Sequence, residues 1–322
     1  MSTGTCTYVL DPDDPETWDG TEDDTCYVQE RKLTADGVWR CPHEPRQGEK
    51  RCPFHLPVER KSDGAVVDAF LDAVANTSNG DLELLGARFG AFELPADRRS
   101  VERTVGGIDL SHATFAGPFD WSNASLDAEY LYLLGARFDA AATFSDSELE
   151  THAGFLGATF GSRTRFDGVL AREADFRSVR FDREVSFEGA RIEGRTSFER
   201  SKFTGLASFE DVRVDGGADF RGATFTDAVD FHNGRFGGEA TFASARFGGG
   251  ADFSDAEFDG DATFVRTEFN SDVTFESVRF RRDADFTGMK ATGDAVFTDV
   301  VVDGERSFQF AEIGDIDRSG IR

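Results

Sequence analysis

Lysine and methionine are scarce in this sequence, with five Lys and two Met in 322 residues, and so are Tyr and Trp, with four and three. No run approaches 18 apolar residues, so no membrane-spanning helix and no membrane insertion are expected. The stretch Met1–Cys6 lacks the basic and apolar regions of a secretory leader, which points to a cytoplasmic protein. Positive charge is short as well: 35 Lys and Arg face 61 Asp and Glu, for a net charge of −26. Direct nucleic-acid binding through phosphates needs a basic face, and docking on anionic lipid needs a polybasic one; both are excluded on charge. Catalytic motifs are missing too. Of the five histidines, His112, His152 and His232 stand in no nucleophile or acid–base pattern, so the protein reads as non-catalytic.

What fills the space is 33 Phe and 34 Gly. Of the bases, all but Lys32, Lys50, Lys61, Lys202 and Lys290 are Arg. Acid-rich and lysine-poor chains are the haloarchaeal type, made for salt-accumulating cells. A charge of −26 repels itself within a compact state, and about 1 M salt screens that repulsion by cutting the Debye length to about 3 Å. The acids are spread evenly: residues 1–63 hold 14 acids and 8 bases, the rest 47 and 27. That favours adaptation to the solvent over one dedicated acidic site.

The apolar residues carry a period. Phe176, Phe181, Phe187, Ile192, Phe198, Phe203, Phe209 and Val214 follow one another at steps of five and six. The register runs on through Phe220, Phe242, Phe264 and Phe286 to Phe308 and Ile313, and backward, after a one-residue deletion near Leu170, to Leu110. Steps of five and six fit neither a helix face nor a long strand. They suit short turns wound around an axis, each handing its apolar residue to a core that only stacking can close.

The words Ala218-Asp219-Phe220, Ala251-Asp252-Phe253 and Ala284-Asp285-Phe286 closely resemble the pentapeptide-repeat family. The resemblance spans roughly residues 110–313 and implies an all-β fold, a right-handed quadrilateral parallel β-helix with four short faces per coil. Here every second unit has six residues, so a coil is expected to take about 22, with the extra residue bulged at a corner beside Gly or a polar residue. About nine coils between Leu110 and Ile313, spaced by roughly 4.8 Å, give a rod about 45 Å long. Residues 91–107 interrupt the repeat with Pro95 and a charged run, and read as a protruding loop.

The expected organisation is a Cys/His module at 1–57, a capping helix and linker at 58–80, the β-helix at 81–316 and a tail at 317–322. The module holds all four cysteines: Cys6, Cys26, Cys41 and Cys52. Cys52 and His55, three apart, aim both side chains at one point, and Cys41 lies ten intervening residues upstream. Zinc needs four such ligands in a tetrahedron. The expected set is Cys6, Cys41, Cys52 and His55, with Cys26 as the alternative fourth ligand; disulfides and free thiols are the competing readings. His43 is expected off the metal. In the linker, Val67, Phe70, Leu71 and Val74 share one helical face, suited to covering the first coil.

The sequence therefore favours a non-catalytic scaffold or protein-interaction rod with a structural zinc, adapted to high salt. The resemblance supplies an alternative, a rod that imitates DNA and protects a DNA topoisomerase, gyrase. Contiguous acidic stripes would speak for imitation and mixed signs for a scaffold. The ladder Arg191, Arg213, Arg235, Glu257 and Arg279 is expected to be paired, with Glu188 and Glu210 interleaved. At the far end, Phe308, Phe310, Ile313 and Ile316 are expected to form a contact surface for an unknown protein partner or an end-to-end homodimer, unless Ile316 and the tail fold back as a plug.

Overall fold

The computed structural model describes residues 5–21, 24–77, 80–309, 311–313 and 316–317. Beyond a small N-terminal module and the α-helix Asp63–Asn76, the described chain is a parallel β-solenoid. One coil is typified by Arg246–Phe247, Ala251–Asp252, Glu257–Phe258 and Ala262–Thr263, one two-residue strand on each of four faces. The first and second faces are each ladders of eleven parallel strands. Strands pair 22 residues apart, as in Arg137↔Thr159 and Lys202↔Thr224. The offset drops to 21 at Thr159↔Arg180, because the register slips by one between Leu149 and His152.

The alternating step lengths have a geometric cause. After the second and fourth faces the chain turns through a residue in the left-handed region, and these recur every eleven positions: Ser178, Gly189, Arg200, Asp211, Gly222, Asn233, Ser244 and Asp255. The other corner holds the sixth residue. There Gly194, Gly216, Gly238 and Gly260 stack in a column, and a Cβ on Gly260 would lie 2.3 Å from the Gly238 carbonyl. Glycine at these four positions leaves the backbone of the preceding coil room to approach.

Phenylalanine fills the interior in columns. Phe176, Phe198, Phe220, Phe242, Phe264, Phe286 and Phe308 stack with near-parallel planes, Phe198 and Phe220 at 4.9 Å between centroids. Neighbouring columns meet edge to face, Phe220 and Phe231 at 5.4 Å and 87°. The inter-coil spacing thus coincides with a stacking distance favourable to aromatic rings.

Two expectations are overturned. Residues 91–107 are not a protruding loop. Phe92–Glu93 continues the second face, and Ser100–Asp109 is a long strand paired in parallel with Ser125–Tyr132, which pairs in turn with Glu148–Gly154. The repeat breaks there because one side of the early coils is longer; Leu82 pairs with Ile108, 26 residues on. Nor do Glu188 and Glu210 pair the arginine ladder. Arg213 bonds Asp215 at 2.8 Å, Arg235 approaches Glu257 at 3.9 Å and Arg279 bonds Asp303 at 2.9 Å. Arg213 thus takes the acid two positions on in its own coil, since side chains two apart share a side, whereas Arg235 and Arg279 reach acids on the next coil. The first face repeats the device with Arg180 and Asp182 at 2.7 Å.

The outward rows therefore alternate around the coil. The first and third faces carry mainly Arg and Lys, with some Thr and Glu, and the second and fourth mainly Asp, Ser and Thr, with Arg165 and Val296 as exceptions on the second.

The helix buries Val66, Val67, Phe70, Leu71 and Val74. Phe70 meets Phe92 at 5.3 Å and Trp121 at 5.9 Å, so the helix lies over the first coils. At the other end Phe308 stacks on Phe286 at 4.7 Å. Phe310 and the tail 318–322 lie outside the described residues. Glu312–Ile313 extends the first-face ladder, and Ile316–Asp317 extends the second-face ladder beside Ala295 instead of turning back over the end.

Candidate metal centre

Four buried side chains from three stretches of the module converge. Val9–Leu10 pairs antiparallel with Trp39–Arg40, which sets Cys6 and Cys41 at neighbouring strand ends. The Cys6 amide donates to the His43 carbonyl at 2.9 Å and the Cys41 amide to that of Tyr8 at 3.2 Å. The turn at residues 52–56 presents Cys52 and His55 together, with the His55 amide on the Cys52 carbonyl at 3.1 Å. The ligand atoms of Cys6, Cys41, Cys52 and His55 all lie within 4.8 Å of one another.

The distances suit a tetrahedral ion. Cys41 Sγ and Cys52 Sγ are 3.7 Å apart, Cys52 Sγ and His55 Nδ1 3.2 Å, and Cys6 Sγ and His55 Nδ1 3.7 Å. A tetrahedron with metal–sulfur bonds of about 2.3 Å has sulfur–sulfur edges of about 3.8 Å. A disulfide needs about 2.05 Å, and all four cysteines are free. His55 donates from Nε2 to the Leu85 carbonyl at 2.8 Å, which leaves Nδ1 as the lone-pair nitrogen facing the thiols. The Cys52 amide donates to Cys6 Sγ at 3.2 Å, a bond that favours a thiolate there.

The electrostatics agree. The hydrogen bond shared with Cys41 holds the Cys52 pKa down, against burial and with help from His55. Cys41 is raised correspondingly by that shared bond and by burial. Burial alone would lower His55, but its bonds to Cys52 and Cys6 raise it instead. A cluster that gathers negative charge on sulfur is prepared for a soft divalent cation.

Cys26 stands apart. It is half-buried against the core, and burial pushes its thiol up to about 11. His43 is turned away from the cluster; its Nε2 lies 2.8 Å from the Glu83 carbonyl.

The module is also latched to the rod by residues that carry no sequence signal. Lys32 Nζ meets Asp109 Oδ2 at 2.6 Å, with both side chains 3% exposed. Trp39 Nε1 donates to Glu83 at 2.7 Å, and the Tyr27 amide donates to His112 Nε2 at 2.7 Å. Burial depresses His112 to about 4, so it is held neutral as that acceptor. Lysine, aspartate and histidine at such positions look like surface residues until the partner strand is known.

A family model described as Pentapeptide repeats (9 copies) matches residues 176–224, 209–257, 220–268 and 242–290, all within the solenoid and none in the Cys/His module. No curated protein matches the chain.

Proposed function

We propose that the chain, whose solenoid matches the pentapeptide-repeat model over residues 176–290, is a non-catalytic rod that binds other proteins, anchored at its N-terminus by a structural zinc. The observation that carries this reading is the alternation of charge around the coil. Arginines on the first and third faces are tied to nearby acids, Arg180 and Arg213 two residues on and Arg235, Arg246 and Arg279 on the next coil, while the other faces carry mainly Asp, Ser and Thr. A surface of mixed sign offers specific docking faces. It does not reproduce the continuous phosphate charge of a duplex, which speaks against topoisomerase protection by imitation. The interior is closed by stacked rings, which supports an outer surface as the working part.

Zinc fits the donor set of three sulfurs and one imidazole, and its role here is to tie Cys6, Cys41, Cys52 and His55 into one fold. The reading places the protein in the cytoplasm, where thiols persist in reduced form. A DNA-supercoiling reaction tests the reading against its rival. Added in equimolar amount to gyrase, the rod is expected to change neither the rate nor the sensitivity to inhibitors. Dose-dependent protection would replace the scaffold with a DNA mimic.

A further inference from the structure

Among the described residues, three large apolar side chains are substantially solvent-facing: Leu170 at 44%, Leu206 at 49% and Val296 at 37%. Leu206 and Val296 share the second face. Leu206 immediately precedes the strand Ala207–Ser208, and Val296 lies four ladder steps further on. At about 4.8 Å per step the two are about 19 Å apart along the axis. Alongside runs a shallow groove of about 830 Å³, from Arg165 to Thr274, with Ser208, Ala228 and Gly250 keeping its lining low.

The groove carries a run of stacked acids. Asp230 and Asp252 are register neighbours on adjacent coils, and Asp272 stands beside them in the lining. Each gives one oxygen to a backbone amide: Asp230 to His232 at 2.7 Å, Asp252 to Ser254 at 2.8 Å and Asp272 to Asp294 at 2.9 Å. None is matched by a cation among the described residues, whereas Asp182, Asp215, Asp259 and Asp303 each hold an arginine. Stacked like charges on adjacent strands are destabilising unless an opposite charge intervenes. Arginine supplies that charge at Asp182 and Asp215, and at Asp120 on the second face itself; around Asp230, Asp252 and Asp272 the place is open.

We propose that the second face binds an extended basic segment of another protein, with an apolar side chain at each end. The segment lies along the rod axis. At about 3.3 Å per residue, 19 Å corresponds to about six residues, so its apolar side chains stand about six positions apart and contact Leu206 and Val296. Lysine or arginine between them meets Asp230, Asp252 and Asp272. Because the segment crosses the strands, recognition is by side chains and adds no strand to the ladder.

This proposal rests on the scaffold reading but fails separately from it. The probe is a fluorescent heptapeptide, Leu-Ser-Arg-Ser-Arg-Ser-Leu, titrated with the full chain in about 1 M salt, where long-range attraction is screened. Saturable binding is expected, weakened at least fivefold by Leu206→Asn and by Asp252→Asn, and unchanged by Asp285→Asn on the fourth face. Asparagine keeps the turn-capping oxygen, and an unaltered circular dichroism spectrum checks the fold of each variant. Equal binding of a peptide with both Leu replaced by Ser, equal loss with Asp285→Asn, or no saturable binding would each overturn the groove as a docking site and leave the supercoiling test of the scaffold untouched.

Discussion

His55 and Leu85 are joined by a 2.8 Å hydrogen bond from the imidazole Nε2 to a backbone carbonyl of the first coil. The same ring points Nδ1 at the thiols of Cys6 and Cys52. One side chain thus belongs to the metal cluster and to the start of the solenoid.

Metal removal should accordingly reach beyond the module. Elemental analysis is expected to give about one zinc per chain, abolished by Cys52→Ala. On chelation, hydrogen exchange should accelerate in residues 5–60 and around Leu84–Ala87, and stay slow in the coils beyond Phe176. Structural zinc contributes folding energy directly, so unchanged exchange after complete chelation would remove the metal from the account.

The Lys32–Asp109 pair is buried, so breaking it from one side leaves a charge without compensation. Lys32→Met is expected to weaken docking of the module by about 3–5 kcal/mol. Lys32→Met with Asp109→Asn should recover part of that, since Asn keeps the oxygen that accepts the Ser111 amide. Denaturant unfolding of both variants measures the difference, and equal losses would show that the pair acts only through its packing.

Acid should loosen the same interface through His112. Its folded pKa is about 4, against about 6.5 for a free imidazole. The undocked chain therefore binds a proton that the docked one refuses. Docking is fully stable above pH about 6.5 and loses stability as pH falls toward about 4, by about 3 kcal/mol in all. His112→Asn, which tolerates the left-handed backbone at φ 57°, should flatten this dependence. A melting curve with the same pH slope in both proteins would assign the effect to carboxylates.

Salt sensitivity follows from the net charge of −26. The melting temperature is expected to climb steeply between about 0.1 M and about 1 M salt as self-repulsion is screened. A flat curve would mean that arginine–aspartate pairs already balance the surface.

End-to-end association can be read by light scattering. Phe308 lies near the end of the described ladder and is only partly buried. A dimer in high salt that Phe308→Asp converts to a monomer would identify that end as the contact; a monomer throughout would dismiss it.

The solenoid was largely legible because its constraint is local and repeated. Steps of five and six report the two corner types, and the column Gly194, Gly216, Gly238 and Gly260 marks the corner that holds the extra residue. The strand Ser100–Asp109 was hidden because Pro95 and a charged run look like punctuation when the partner strand Ser125–Tyr132 is unknown. At the metal cluster, Cys52 and His55 announce themselves by spacing. Cys6 and Cys26 cannot be separated that way, since the antiparallel pairing of Val9 with Arg40 is what brings Cys6 in. Lys32, Asp109 and His112 gave no sign at all, because their roles arise only where two folded parts meet.

The aromatic residues are also unevenly placed by type. Trp18 and Trp39 sit in the module and Trp121 beneath the helix, while the later coils are filled by phenylalanine, which barely absorbs above 280 nm. Indole emission therefore views only one pole of the molecule. Excited at that wavelength, the protein should report the melting of its metal-bearing end while the rest of the rod stays dark, so that a mismatch between fluorescence and circular dichroism would time the two events separately.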